Sequence, residues 1–181
     1  ECEKYQLFFL EDLFSPEDNG YFKMARAQTS TPLAMGELWN NPHEIIPMIQ
    51  ERLIDFIRIH MSQIGGITPA RKIAAMAELY NVRTAWHGPD DTSPVGHAAN
   101  MMLNLNTHNF GIQEVAIPGR NTVEMFPGIP TLEKGMMWAN GLPGLGIDID
   151  EKMAEKFPFK PREYGGSWDT VRRADGTVVK P

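Results

Sequence analysis

Cysteine is almost absent from this 181-residue chain: Cys2 stands alone, with no second cysteine to close a disulfide. A small cross-linked secreted scaffold is thereby excluded, and a reducing compartment, the cytoplasm, is the expected location. Long apolar runs are missing too, since no stretch reaches the roughly 18 residues that a bilayer-spanning helix requires, and no signal peptide is visible. Lysine and arginine never gather into a run. With 17 basic against 23 acidic residues and a formal net charge of -6, the chain has no electrostatic footprint for nucleic acid or an anionic membrane, and neither is expected as a partner. An initiator methionine is also lacking, and Glu1 leads almost directly into an apolar segment. An upstream half of the same polypeptide is therefore expected.

What is there is a repeat. The apolar run Leu7-Phe8-Phe9-Leu10 ends abruptly in Glu11-Asp12, and Pro32 to Gly36 ends in Glu37. Further apolar runs follow at Asp55 to Ile59, Val82 to Trp86 and Asn109 to Gln113, the last delivering Glu114. Between them lie amphipathic stretches, each opened by a proline that follows Ser, Asn or Thr. These prolines stand at 16, 42, 69 and 94, at intervals of 26, 27 and 25 residues. Ser15, Asn41, Thr68 and Ser93 are suited to N-caps, with proline pre-set for the first helical turn. The inward faces are expected at Tyr21, Phe22 and Ala25; at Ile45, Ile49 and Leu53; at Ile73, Met76, Ala77 and Tyr80; and at Val95, Ala98 and Met102.

Buried strands alternating with helices at this period predict βα units and a parallel sheet. A doubly wound sheet and a (β/α)8 barrel share the pattern. The barrel is favoured because polar groups end nearly every strand, where barrel sites are built. Residues 1–117 then form the second half of a barrel, whose first strands and any N-terminal capping domain lie outside this chain. After Val115 the periodicity stops. Residues 118–181 read as a tail packed on the barrel or on the capping domain, with a short helix from Asp150 to Lys156 and a hairpin turning at Asp175-Gly176. The glycines from Gly141 to Gly146 follow no clear strand, so a nucleotide loop is not expected there.

Glu11 and Glu37 stand at matched points of successive units, each followed by proline after five residues. They are either surface acids or two ligands of one hard divalent cation, Mg²⁺ being the best fit to oxygen donors. A third acid is expected from the strand before Glu11. Arg58 lies on a strand that otherwise reads as buried, so it needs an anionic partner, either a neighbouring carboxylate or a substrate. His87, beside Gly88, is a candidate acid, base or donor, with a packed structural histidine as the alternative. Asp91 either caps a turn or faces a ligand, and Glu114 ends the last strand as Glu11 ends the first. His60, His97 and His108 are weaker candidates, and His97 reads as packing or surface. Trp39, Trp86 and Trp138 read as packing or pocket wall.

At these residues the chain resembles the enolase superfamily. Leu10-Glu11-Asp12 before Pro16, Gly36-Glu37, Gly65-Gly66-Ile67-Thr68, His87-Gly88-Pro89, Gln113-Glu114 and Pro143-Gly144-Leu145-Gly146-Ile147 carry the likeness. It is similar in particular to the mannonate dehydratase branch, whose members include gluconate and galactonate dehydratase-like and starvation-sensing types. The resemblance implies the C-terminal part of a TIM-type barrel in a homo-oligomeric lyase. Its reaction is Mg²⁺-dependent dehydration of an acid sugar, of the D-mannonate or D-gluconate class, through an enediolate to a 2-keto-3-deoxy product. By the same resemblance Glu11 and Glu37 are metal ligands, while Glu37, Arg58, His87, Asp91 and Glu114 face the sugar. The first metal ligand, an aspartate, and a Tyr-Arg pair acting as base belong upstream. Other branches carry an aspartate where His60 stands, paired with the histidine at the position of His87. Pro89 is associated within the branch with weak or shifted activity. Two alternatives stay open: a regulatory or binding paralogue on the same fold, and an epimerase or racemase acting on a carboxylate substrate.

Overall fold

The computed structural model describes residues 1–161. The chain folds as repeated βα units: β1 (Leu10–Glu11), α1 (Tyr21–Gln28), β2 (Leu33–Met35), α2 (Pro42–Gln50), β3 (Phe56–Ile57), α3 (Ile67–Leu79), β4 (Arg83–Thr84) and α4 (Pro94–Leu105). The four strands pair in parallel in the order β1-β2-β3-β4. A parallel bridge from Thr84 to Phe110 sets the 109–114 segment beside β4. The ladder reaches well past the named strands, because the Arg58 N–H donates to Met35 O at 2.9 Å and the His87 N–H to Ile59 O at 3.1 Å. Among the described residues the sheet is an open arc, not a closed barrel. The expected buried first strand is accordingly half wet: among the described residues nothing pairs its outer edge, and Leu7 and Phe8 are exposed. The hairpin expected at Asp175-Gly176 lies outside the described residues.

Period-two alternation assigns the two faces of the arc. Leu33, Met35, Ile57, Ile59 and Trp86 turn toward the helices and join Phe22, Ile45, Ile49, Ile73 and Ala77 in the main core. Ala34, Phe56 and Ala85 form a second, smaller cluster with Phe9 on the opposite, concave face. The polar residues Glu11, Arg58 and His87 share that parity, so the pattern that buries the core also delivers them to the concave side. Trp39 and Trp86 are core residues, whereas Trp138 is exposed.

The helix starts obey the expected chemistry in two units and depart from it in two. Asn41 accepts from the His43 N–H at 3.0 Å and Ser93 from the Gly96 N–H at 3.2 Å, each with proline in the first turn. Ser15 makes no capping bond: its hydroxyl turns to Glu17, Pro16–Asp18 forms a separate 3-10 turn, and α1 starts only at Tyr21. Thr68 lies inside α3, which starts after Gly66. Leu53 is buried but follows α2, which closes in a Schellman turn. There Arg52 has φ 51°, and the Leu53 N–H reaches Met48 O at 2.9 Å. On α4 the inward face is rotated from the expected one: Val95 is exposed, while His97, Ala98, Asn100 and Met101 are buried.

Beyond residue 118 there is more regular structure than the loss of periodicity suggested. A helix α5 (Arg120–Met125) precedes the antiparallel hairpin of β5 (Thr131–Glu133) and β6 (Met136–Trp138). Lys134 and Gly135, both at positive φ, form its two-residue turn. Helix α6 (Glu151–Ala154) is capped as expected, Asp150 accepting from the Met153 N–H at 3.0 Å. No helix among the described residues is long and apolar enough to cross a membrane.

Candidate metal and acid-binding site

The candidate residues gather at the C-terminal ends of the parallel strands. Glu11 and Glu37 reach this point by different routes. Glu11 pairs in register with Ala34 and arrives by simple alternation. Glu37 stands three residues beyond Ala34 and would face the helices if β2 continued. Gly36, at φ 144°, breaks the alternation and redirects it. A Cβ at Gly36 would stand 3.0 Å from the Ile59 N and 3.1 Å from Arg58 backbone atoms, so glycine also permits the close approach of β2 to β3. The matched repeat positions thus conceal an unmatched register.

Glu11, Asp12 and Glu37 each offer a carboxylate oxygen, and these oxygens lie within 4.8 Å of one another. The sequence pattern assigns Asp12 no role and places the expected third acid on the strand before Glu11. Alternation alone would send Asp12 to the other face, but its φ of 49° turns the chain back. Aspartate tolerates that left-handed geometry better than most residues. Partial desolvation, then the charges of Glu37 and Glu11, push the Asp12 carboxyl from 3.8 up to about 7, with Arg58 pulling the other way. An all-oxygen donor set under mutual repulsion fits a small hard divalent cation, which would offset the repulsion.

The sign of that shift gives a test. A carboxyl whose folded pKa is raised contributes stability below its unfolded pKa, and that stability is lost as pH rises through about 7. Without metal, Asp12→Asn is expected to raise the melting temperature more at pH 8 than at pH 5, the difference being about 3 °C. Comparing the two proteins at each pH cancels the opposite contributions of other groups. Saturating Mg²⁺ is expected to remove the gain. Equal gains at both pH values would refute crowding at Asp12.

Arg58 is the hub of the site and is 4% exposed. Its Nε donates to Glu11, its Nη2 to Glu114 Oε2 at 2.8 Å, and its Nη1 to Ala85 O at 3.3 Å. Arg58 thus pairs with two carboxylates in this structure, and its guanidinium stays on the concave face. Glu114 also accepts from the Gly88 N–H at 2.9 Å. Burial pushes Glu114 up, but the Gly88 N–H and the Arg58 guanidinium outweigh it and hold the carboxyl below its usual range. His87 Nε2 lies 3.2 Å from Glu37 and 3.8 Å from Glu114.

His60, where other branches carry an aspartate, meets His87 edge-on with ring centroids 5.5 Å apart. Its own nitrogens are engaged by hydroxyls, Ser62 at 2.7 Å and Thr92 at 3.1 Å. Burial, then the neighbouring His87, lowers its pKa. His87 therefore takes its carboxylate contacts from Glu37 and Glu114 rather than from β3. Asp91 stands apart. Among the described residues no hydrogen bond or ion pair joins it to the cluster, and it lies on the wall between cavities of about 630 and 450 Å³. His97 is buried and its pKa is lowered by that burial, in keeping with packing. Two polar side chains join the site without a role expected from the sequence: Asn104, which stands in no motif, and Gln113, which appears there only as the end of the last strand and beside Glu114 in the Gln113-Glu114 motif.

Comparison with known proteins shows the family. The family profile described as Enolase C-terminal domain-like matches residues 1–153. A D-galactonate dehydratase family member, RspA, of Pantoea ananatis is 53% identical over 181 residues, covering 99% of this chain. A second family member, from Enterocloster bolteae, is 49% identical over 181 residues. The chain spans 42% and 44% of the lengths of these two relatives. A crystal structure of an enolase from Pantoea ananatis with bound D-gluconate and Mg matches with a TM-score of 0.91 at 53% identity, over 99% of this chain and 43% of that one. A mandelate racemase/muconate lactonizing enzyme from Jannaschia sp. CCS1 matches with a TM-score of 0.80 at 25% identity, over 89% of this chain and 41% of that one.

Proposed function

Because this chain belongs to the Enolase C-terminal domain-like family, and corresponds to a C-terminal part of that family's barrel, we propose that its full-length protein is an Mg²⁺-dependent acid-sugar dehydratase. The observation that carries the reading is the constellation itself: clustered carboxylates, a buried arginine clamp and an imidazole, all on one face of a parallel sheet. The likeness to a structure that holds D-gluconate and Mg supports it.

In this reading Glu11 and Glu37 hold the cation, together with an upstream aspartate, and Asp12 adds charge beside them. Mg²⁺, when bound, would supply Lewis-acid stabilisation of the substrate carboxylate while the upstream Tyr-Arg pair takes up the proton alpha to it. Arg58 keeps Glu11 and Glu114 apart and oriented, so neither carboxylate needs to reorganise during the reaction. Glu114, held ionised, accepts hydrogen bonds from sugar hydroxyls. His87, bridging toward Glu37, holds a proton at Nε2 for the departing hydroxyl. Asp91 faces the distal end of the sugar from the rim. The product is a 2-keto-3-deoxy sugar acid. D-Gluconate is the first substrate to try, followed by D-mannonate and D-galactonate.

The test is a screen of these acid sugars with the full-length protein and Mg²⁺, read for 2-keto-3-deoxy product. Metal-dependent product that disappears with chelator supports the proposal. Solvent deuterium entering recovered substrate without keto product would favour an epimerase or racemase. Tight sugar binding with neither outcome would favour a binding paralogue.

A further inference from the structure

The parallel ladder between β4 and the 109–114 segment runs out just before the site. Its last backbone bond runs from the Ile112 N–H to Thr84 O at 3.3 Å. Two residues on, Trp86 O would need another donor from the 109–114 segment, and among the described residues the backbone supplies none. The side chain of Gln113 does. Its Nε2 donates to Trp86 O at 3.1 Å and to Glu114 O at 2.6 Å. Its Oε1 accepts from Asn104 Nδ2, on α4, at 2.8 Å. The amide orientation is thereby determined, because a flip would set its oxygen against two carbonyls and its nitrogen against a donor.

The two strand ends joined in this way carry the chemistry. Trp86 precedes His87-Gly88, and Glu114 follows Gln113. The join leaves no slack: a Cβ at Gly88 would stand 2.3 Å from Glu114 O. Across this join the Glu114 carboxylate accepts from both the Gly88 N–H and Arg58.

We propose that Gln113, anchored by Asn104, is a positioning residue that sets the Glu114 and His87 geometry of the site. This rests on the proposed function for the sugar-facing roles of Glu114 and His87, but the strut itself is a statement about structure. Gln113→Leu keeps the bulk and removes all three bonds. In the full-length protein it is expected to lower kcat about 10- to 100-fold, the scale of a catalytic group displaced by an ångström. The KM is expected to rise a few-fold as well, because the displaced Glu114 is itself a proposed sugar contact. Asn104→Leu, one step further out, is expected to give a smaller loss of the same kind. The double variant should be no worse than Gln113→Leu, because the two act as one unit.

A crystal structure of Gln113→Leu separates this inference from the functional reading on which it rests. Loss of the Glu114 bonds to Gly88 and Arg58 is expected whatever the substrate proves to be. Retention of both bonds would overturn the strut, as would fully additive losses or a change confined to KM. Should Gln113→Leu fail to fold, the same two bonds are read in Asn104→Leu. Failure of the wild type on every acid sugar would sink the dehydratase reading and leave the crystallographic test standing.

Discussion

Glu37→Gln is expected to cut acid-sugar turnover by about 1,000-fold or more, the scale of removing a principal electrostatic stabiliser from an active site. Three relations converge on this side chain. It belongs to the carboxylate cluster whose oxygens lie within 4.8 Å of one another, it lies 3.2 Å from His87 Nε2, and it is aimed there by the break in alternation at Gly36. Glutamine keeps the shape and removes the charge, so the fold should survive. Mg²⁺ affinity, read by calorimetry on the full-length protein, should fall with turnover, whereas the melting temperature without metal should hold or rise as repulsion at Asp12 is relieved. Unchanged Mg²⁺ affinity would remove Glu37 from the metal site. Normal turnover would end the proposed mechanism.

Arg58→Met should act on stability and activity together. The guanidinium is buried, and it is the partner of both Glu11 and Glu114. Methionine fills the space but leaves two carboxylates without their counter-charge. Breaking a buried ion pair from one side typically costs 3–5 kcal/mol; because both glutamates remain partly exposed, about 3 kcal/mol is expected here. Denaturant midpoints should show the loss, and turnover should fall with it as Glu114 drifts from Gly88. Arg58→Lys should recover only part of either quantity, since one ammonium cannot serve two carboxylates and a carbonyl from a planar fork. A lysine variant equal to wild type in both would show that Arg58 contributes charge alone. An unchanged midpoint for the methionine variant would show that the network holds nothing together.

Much of this was legible in the chain itself. The intervals between Pro16, Pro42, Pro69 and Pro94 fixed the βα period because proline is tolerated in a helix chiefly in its first turn. Apolar runs ending in charge located the strand ends, and so Glu11, Glu37, Arg58, His87 and Glu114. These signals are local: each depends on a few neighbouring residues whose preferences act in the isolated chain. The hairpin at Lys134-Gly135 was legible in principle, since lysine followed by glycine between two short runs permits the turn. It was hidden by the surrounding glycines and prolines.

Tertiary structure decided the rest, and for one reason. Register and backbone reversal are set by what packs against what, not by residue type. The Glu11–Ala34 pairing, the turn at Gly36 and the left-handed Asp12 together determine which carboxylates share a face. Helix α4 buries His97 and exposes Val95, and the His97 ring packs beside the loop at Gly88, where a Cβ would stand 3.0 Å from it. The pairing of Gln113 with Trp86, 27 positions away, arises where a backbone ladder ends and a side chain takes its place. The amino-acid order named the reactive groups; only packing could assign their partners.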